Sequence, residues 1–375
     1  MEKRIIPISL PVTGDDEWQA LKEPLETGWL TAGPKVRAFE DAFAERHQVK
    51  YAIAVTSATT ALHLALIALD IKAGDEVIVP AFTWVSTANV VLYQGADVVF
   101  CDIDPKTFNL DPKKLQEKIT PNTKAIMVVH LFGLCAPMDE IKTIAGDIPL
   151  IEDGACSAGS AYKGLPAGGL GLMGCFSFHP RKSITTGEGG MITTNDSEIY
   201  KKLLLLRSHG ITKDPNALIE SHGDWYYEMQ SLGYNYRMPD LLCALGISQL
   251  DRAEENLISR RKIAKKYFKA FSGIPITIPK SSLHPGHAFH LFVIQVEERK
   301  AFYDYLKEKG INAQIHYIPV HKQPYYIEQY GEQVFKHAEE YYERCISIPI
   351  YPSLSNNDQD YVIETIVQFY KKSHV

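Results

Sequence analysis

The stretch YAIAVTSATTALHLALIALDIKAGDEVIVP, residues 51–80, reads as strand, helix, strand. YAIAV and EVIVP are short apolar runs, and ALHLALIAL between them is apolar almost all the way round, the mark of a buried helix. Further along, STANVVLYQG, DVVFCDID, a helix after Asp111, KAIMVVHLFG and PLIED continue the alternation. Strands that alternate with helices indicate a parallel sheet joined by crossover helices. EVIVP, IMVV and PLI are nearly continuous in apolar residues, as strands covered on both faces must be.

Beyond PLIED, two β-like runs, GCFSFHP and GGMITTND, flank the polar loop RKSITTGEG. A helical stretch from about Pro239 to Phe271 leads to a second unit. There HLFVIQV, RKAFYDYLKEKG, INAQIHYIPV, CISIPIYP and a final helix from Asp358 suggest a small α+β domain. The expected organisation is a large α/β domain over 1–250, with the N-terminal segment, and a small domain over 251–375.

The 375 residues are 45% hydrophobic and 22% charged, the make-up of an ordinary globular protein. A net charge of -6 and the lack of a Lys/Arg block argue against nucleic acid as a partner. The six cysteines form no C-x-x-C pair, so neither a zinc site nor a disulfide framework is expected. Neither a signal peptide nor a membrane span is legible, and the expected location is cytoplasmic.

Five residues stand where parallel sheets bind ligands, at or just past strand ends. Asp153 ends PLIED, with a turn cap as its plain alternative. Lys182 lies in FSFHPRKSITTGEGG, a loop where an amine can reach a carbonyl, although most loop lysines are merely solvated. Ser57 and Thr59 open the buried helix, where free amides favour a phosphate; a simple N-cap would look the same. Trp84, after EVIVP, could stack on a flat ring or pack in the core. GGLGLMG matches G-x-G-x-x-G through Gly169, Gly171 and Gly174, but it leads into a strand rather than a helix and reads as a turn. His284, His287 and His290 lack nearby carboxylates in sequence, so no metal site is expected.

Taken together, TSATTALHLAL, PAFTWVSTANV, IEDGACSAG, FSFHPRKSITTGEGGMITTND, GYNYRMPDLLCALGISQL, HAFHLF and IHYIPVHKQPYY resemble the DegT/DnrJ/EryC1/StrS family of sugar aminotransferases, over nearly the whole chain. The resemblance implies the pyridoxal 5'-phosphate (PLP)-dependent transferase type I fold, aspartate aminotransferase-like. That fold has a mixed, mostly parallel sheet in its large domain, and it works as a homodimer with active sites at the interface. It further implies that Lys182 is the Schiff-base lysine and that Asp153 is the partner of the pyridine nitrogen. Trp84 becomes the stacking ring, Ala58, Thr59 and Ser177 phosphate binders, and Asn235 a phosphate contact from the neighbouring subunit.

Two positions depart from the family pattern. Cys156 stands where Gln, His or Glu is usual near the cofactor's ring oxygen, and Ala58 replaces a frequent Gly. The reaction implied is transfer of an amino group from L-glutamate to a nucleotide-linked keto sugar, with C4 favoured over C3. His316 and Tyr317 are candidate sugar or nucleotide contacts, with strand packing as their alternative. Family dehydratases carry His in place of the lysine, and Lys182 argues against elimination. A non-catalytic protein of the same fold would be expected to lack Lys182 or Asp153.

Overall fold

The structure is a computed structural model and describes residues 4–279 and 283–372. Its strands in chain order are β1 (Tyr51–Val55), β2 (Glu76–Pro80), β3 (Asp97–Cys101), β4 (Thr123–Val129), β5 (Leu150–Asp153), a small hairpin of β6 (Ala161–Tyr162) and β7 (Leu165–Pro166), β8 (Met173–Ser177) and β9 (Gly190–Thr194). There follow β10 (Ile211–Thr212), paired with β11 (Glu228–Met229), and β12 (Phe292–Gln295), paired with β13 (Cys345–Ile348).

One seven-stranded sheet, ordered β1-β9-β8-β5-β4-β2-β3, forms the frame. Strands β8, β5, β4, β2 and β3 are parallel to one another, whereas β9 runs antiparallel to both β8 and β1. That reversal follows from the connection: β8 and β9 are joined by the loop holding Lys182, without the crossover helix that parallel neighbours require. With β9 reversed, β1 runs in the same direction as the other five, so six strands end on one edge.

Both faces of the sheet are covered, as the apolar strands predict. Ile53, Val55, Val77 and Val79 cluster with Ala61, Leu64 and Ala65 of the buried helix Ala58–Ala68, while Ala52, Ala54, Ile78 and Ile126, with Phe176 of β8, cluster with Phe39 and Phe43 of the helix Pro34–His47. This is the alternation of a pleated strand between two apolar layers. The glycine-rich turn is an internal anion holder: the amides of Gly168 and Gly171 donate to the Glu152 carboxylate at 2.7 and 2.5 Å, and His130 Nε2 lies 2.8 Å from it. Burial alone would raise the Glu152 pKa, but His130 and these amides more than reverse it and hold it below the ordinary value. The turn's amides are thereby committed to a protein side chain.

A third core gathers Tyr267, Phe292, Ile294, Phe302, Ile346, Ile348, Val362 and Ile366 around the β12–β13 pair. The N-terminal segment, grouped above with residues 1–250, contributes Ile6 to this C-terminal core and bridges Ile311 in parallel. The helical stretch expected from Pro239 to Phe271 is two helices, Asp240–Asp251 and Ala253–Ala270, divided at Arg252. INAQIHYIPV forms no strand; Gln314 alone makes an antiparallel bridge there, to Ser347.

Candidate functional site

The shared carboxyl edge of the six strands brings together most of the residues singled out in sequence. Asp153 closes β5 and is buried. Its Oδ2 accepts a hydrogen bond from Thr87 Oγ1 at 2.7 Å, and its Oδ1 accepts one from the Ala155 amide at 3.1 Å. The second contact is the turn cap set out as the plain alternative, and it coexists with the first, which ties the carboxylate across the sheet. Thr87 is itself 2.9 Å from Thr83 Oγ1. Among the described residues, no cation pairs with Asp153.

Lys182 follows β8, and its Nζ donates to Cys156 Sγ at 3.2 Å. The loop that carries it is fixed by backbone bonds, Lys182 N to His179 O at 2.8 Å and Thr186 N to Phe178 O at 3.0 Å. Tyr317 lies close enough to the same Cys156 thiol to interact with it, and its enclosed hydroxyl is pushed well above its ordinary pKa, first by burial and then by Cys156 and Asp153. One thiol therefore links the residues around Lys182 to those around Asp153.

Ser57 caps the helix Ala58–Ala68, its Oγ accepting from Thr60 N at 3.1 Å. The cap does not use the amides of Ala58 and Thr59, which have no partner among the described residues. Any side chain at Gly190 of β9 would strike the Ser57 carbonyl and the Ala58 nitrogen, so that glycine is what lets the helix start against the sheet. Thr59 Oγ1 donates to Ser86 Oγ at 2.9 Å, which sets the start of the helix Ser86–Tyr93 beside it. Ser177 ends β8, paired with Gly190.

Trp84 is 57% exposed, which removes core packing as its role, and its ring stands 5.6 Å from Tyr317. His316 Nδ1 lies 2.8 Å from Ser347 Oγ. Asn235 is exposed and bridges Ser208.

Two participants escaped the sequence reading. Thr87, three residues after Trp84 and fully buried, holds Asp153, and no feature of STANV in the sequence marked it. His290, considered only as a metal ligand, comes within electrostatic reach of Lys182.

These residues suit PLP on structural grounds. A buried carboxylate without a cation awaits a protonated ring nitrogen, two unpaired amides at a helix start await a phosphate, and an exposed indole offers a face for the ring. An amine with only a thiol for a partner is free to engage an aldehyde.

The comparisons agree with this geometry. The sequence model of the DegT/DnrJ/EryC1/StrS aminotransferase family matches residues 11–367. The chain is 44% identical over 373 residues to the spore coat polysaccharide biosynthesis protein SpsC of Bacillus subtilis, covering 96% of each. Among solved structures it is similar to Helicobacter pylori PseC, an aminotransferase involved in the biosynthesis of pseudoaminic acid, with a TM-score of 0.92, 29% identity and coverage of 98% of this chain and 100% of that one. Spr1654 of Streptococcus pneumoniae, solved in PLP and PMP forms, also gives a TM-score of 0.92, at 30% identity with 98% of each chain covered in the PMP form. The chain thus has the type I PLP-dependent transferase fold, and it belongs to the DegT/DnrJ/EryC1/StrS aminotransferase family as a PLP-dependent nucleotide-sugar aminotransferase.

Proposed function

We propose that this enzyme moves an amino group from L-glutamate to the C4 keto carbon of a nucleotide-linked deoxy sugar, with Lys182 and Asp153 as its catalytic pair. The observation that carries the reading is their convergence: Cys156, three residues after Asp153, accepts the hydrogen bond from Lys182 Nζ. PLP, when bound, supplies an electron sink for the carbon that loses or gains a proton.

The protein's own residues supply the rest. Lys182 would hold the cofactor through its amine and, when that amine is free, move a proton to and from the substrate carbon. Asp153, fixed by Thr87 and the Ala155 amide, keeps a proton on the ring nitrogen. The amides of Ala58 and Thr59, the Thr59 hydroxyl, Ser57 and Ser177 receive the phosphate, and Asn235 reaches it from a second copy of the chain. Cys156 would border the cofactor ring, and His316 and Tyr317 would contact the sugar or nucleotide. The reading includes a cytoplasmic homodimer with a domain division near residue 250. The C4 assignment is supported by the likeness of GWLTAGPK, TSATTALH, FTWVSTAN and HAFHLF to C4-aminating relatives.

A screen of UDP-, dTDP- and GDP-linked 3-keto and 4-keto sugars tests it. The enzyme, first converted to its amino form by glutamate, should recover its visible absorbance with a 4-keto sugar. Recovery with 3-keto sugars alone would move the site to C3, and loss of water from the sugar without recovery would favour elimination.

Stacking by Trp84 gives a separate expectation. Trp84→Ala removes an aromatic contact of about 0.5–1.5 kcal/mol, so PLP should bind about 2- to 12-fold more weakly in an absorbance titration. Unchanged affinity would remove the ring from the cofactor site.

A further inference from the structure

Lys182 is bordered by more hydrogen-bond donors than the chemistry above uses. Its neighbour Arg181 directs Nη1 onto Gln314 Oε1 at 3.0 Å, and among the described residues no carboxylate pairs with its guanidinium. Gln314 stands two residues before His316, whose Nδ1 is engaged by Ser347. His290 is 5% exposed, and its Nδ1 has no hydrogen-bond partner.

The electrostatics of this wall are one-sided. The charged or ionisable groups that bear on His290 are Lys182, Arg260, His316 and His179, and those that bear on His316 are Lys182 and Arg181; none is a carboxylate. Burial, then these cations, lowers His316 to about 4 and His290 well below its ordinary range, so both rings are neutral at physiological pH. Asp153 is occupied elsewhere, by Thr87 and the Ala155 amide. With both imidazoles neutral, the cations bearing on His316 are Lys182 and Arg181; among the described residues neither pairs with a carboxylate, and His290 Nδ1 lacks a partner, an arrangement that an anion from outside the protein completes.

We propose that Arg181 and His316, backed by His290, form an oxyanion subsite beside Lys182 that takes the carboxylate of the amino donor. A guanidinium already anchored on one side matches a planar carboxylate well. In an amino acid the α-carboxylate lies two bonds from the nitrogen that must reach the Lys182 position, which is the separation an adjacent subsite serves. The diphosphate of the nucleotide sugar shares this oxyanion chemistry. The proposal rests on the aminotransfer reading and adds the recognition of the donor to it.

The test uses the PLP-loaded enzyme and its Arg181→Gln variant, titrated calorimetrically with glutarate, a dicarboxylate without an amine, and separately with UDP and dTDP. Loss of charge-assisted bonds predicts that glutarate binds at least about tenfold more weakly to the variant, with the nucleotides unaffected. In the glutamate half-reaction, the variant should raise KM about as much and leave kcat nearly unchanged. Weaker UDP and dTDP binding with glutarate unchanged would support the subsite with the diphosphate as occupant. Equal binding of all three ligands to both proteins would overturn it. If glutamate fails to change the visible spectrum of the parent enzyme, the aminotransfer reading itself falls, whatever glutarate does.

Discussion

Lys182→Ala should lower the rate of amino transfer by at least about 10²–10⁴-fold, the contribution of a positioned acid–base group, and by more once attachment is lost as well. Borohydride treatment, which should fix the cofactor to the parent chain, should leave the variant without covalent label on mass analysis. The side chain makes one polar contact, with Cys156 Sγ, so its removal should shift stability by less than about 0.5 kcal/mol. Lys182→Arg should be equally inactive, because a guanidinium keeps the charge but does not lose a proton to become a nucleophile. A small amine added to the Lys182→Ala protein should restore part of the rate. Full turnover by the alanine variant, or borohydride labelling at a different lysine, would sink the assignment.

How far the sequence disclosed this site depends on the distance over which each feature is encoded. Strand–helix alternation is local, so the parallel sheet and the ligand-binding edge were readable from residues 51–153, and Asp153 and Ser57 came with the strand ends. Lys182 was legible as a residue of a polar loop between two strands, but only the family resemblance separated it from an ordinary solvated lysine. The polar loop between β8 and β9 leaves no room for a crossover helix and so implies the reversal of β9, but its second neighbour, β1, was not legible, because that pairing joins strands far apart in sequence. Arg252, which divides the stretch from Pro239 to Phe271, carries no Gly or Pro signal, and its backbone, with φ -96 and ψ -3, stays in the right-handed helical region, so no local feature of the sequence marks the division.

Long-range contacts were the least readable. Arg181 meets Gln314 across 133 positions, and Thr87 meets Asp153 across 66. Nothing in either local pattern points to its partner. His290 shows the same limit from the other side. Its motif, HPGHAFH, drew attention to metal chemistry, while the fold sets it in the wall beside an amine.

Asp153→Asn should cost about 10²–10³-fold in kcat, the range seen when one preorganised electrostatic group is removed from a water-excluded site. The substitution is nearly isosteric. Its oxygen can still accept from the Ala155 amide, and its NH₂ can donate to the Thr87 hydroxyl, which can turn toward Thr83 instead. The folded structure should therefore survive, with an unfolding transition close to that of the parent. What disappears is the negative charge, and with it the reason for a proton to remain on the ring nitrogen.

The pH dependence of the bound cofactor's absorbance should change in Asp153→Asn, whereas a defect of folding alone would leave that profile intact. Thr87→Val gives the graded control: it deprives the carboxylate of one neutral hydrogen bond of about 0.5–1.5 kcal/mol and should slow turnover only about 2- to 12-fold. If Asp153→Asn retains full kcat with an unaltered absorbance profile, the carboxylate is no more than the cap of the turn after β5. In that case the ring nitrogen must find its partner elsewhere.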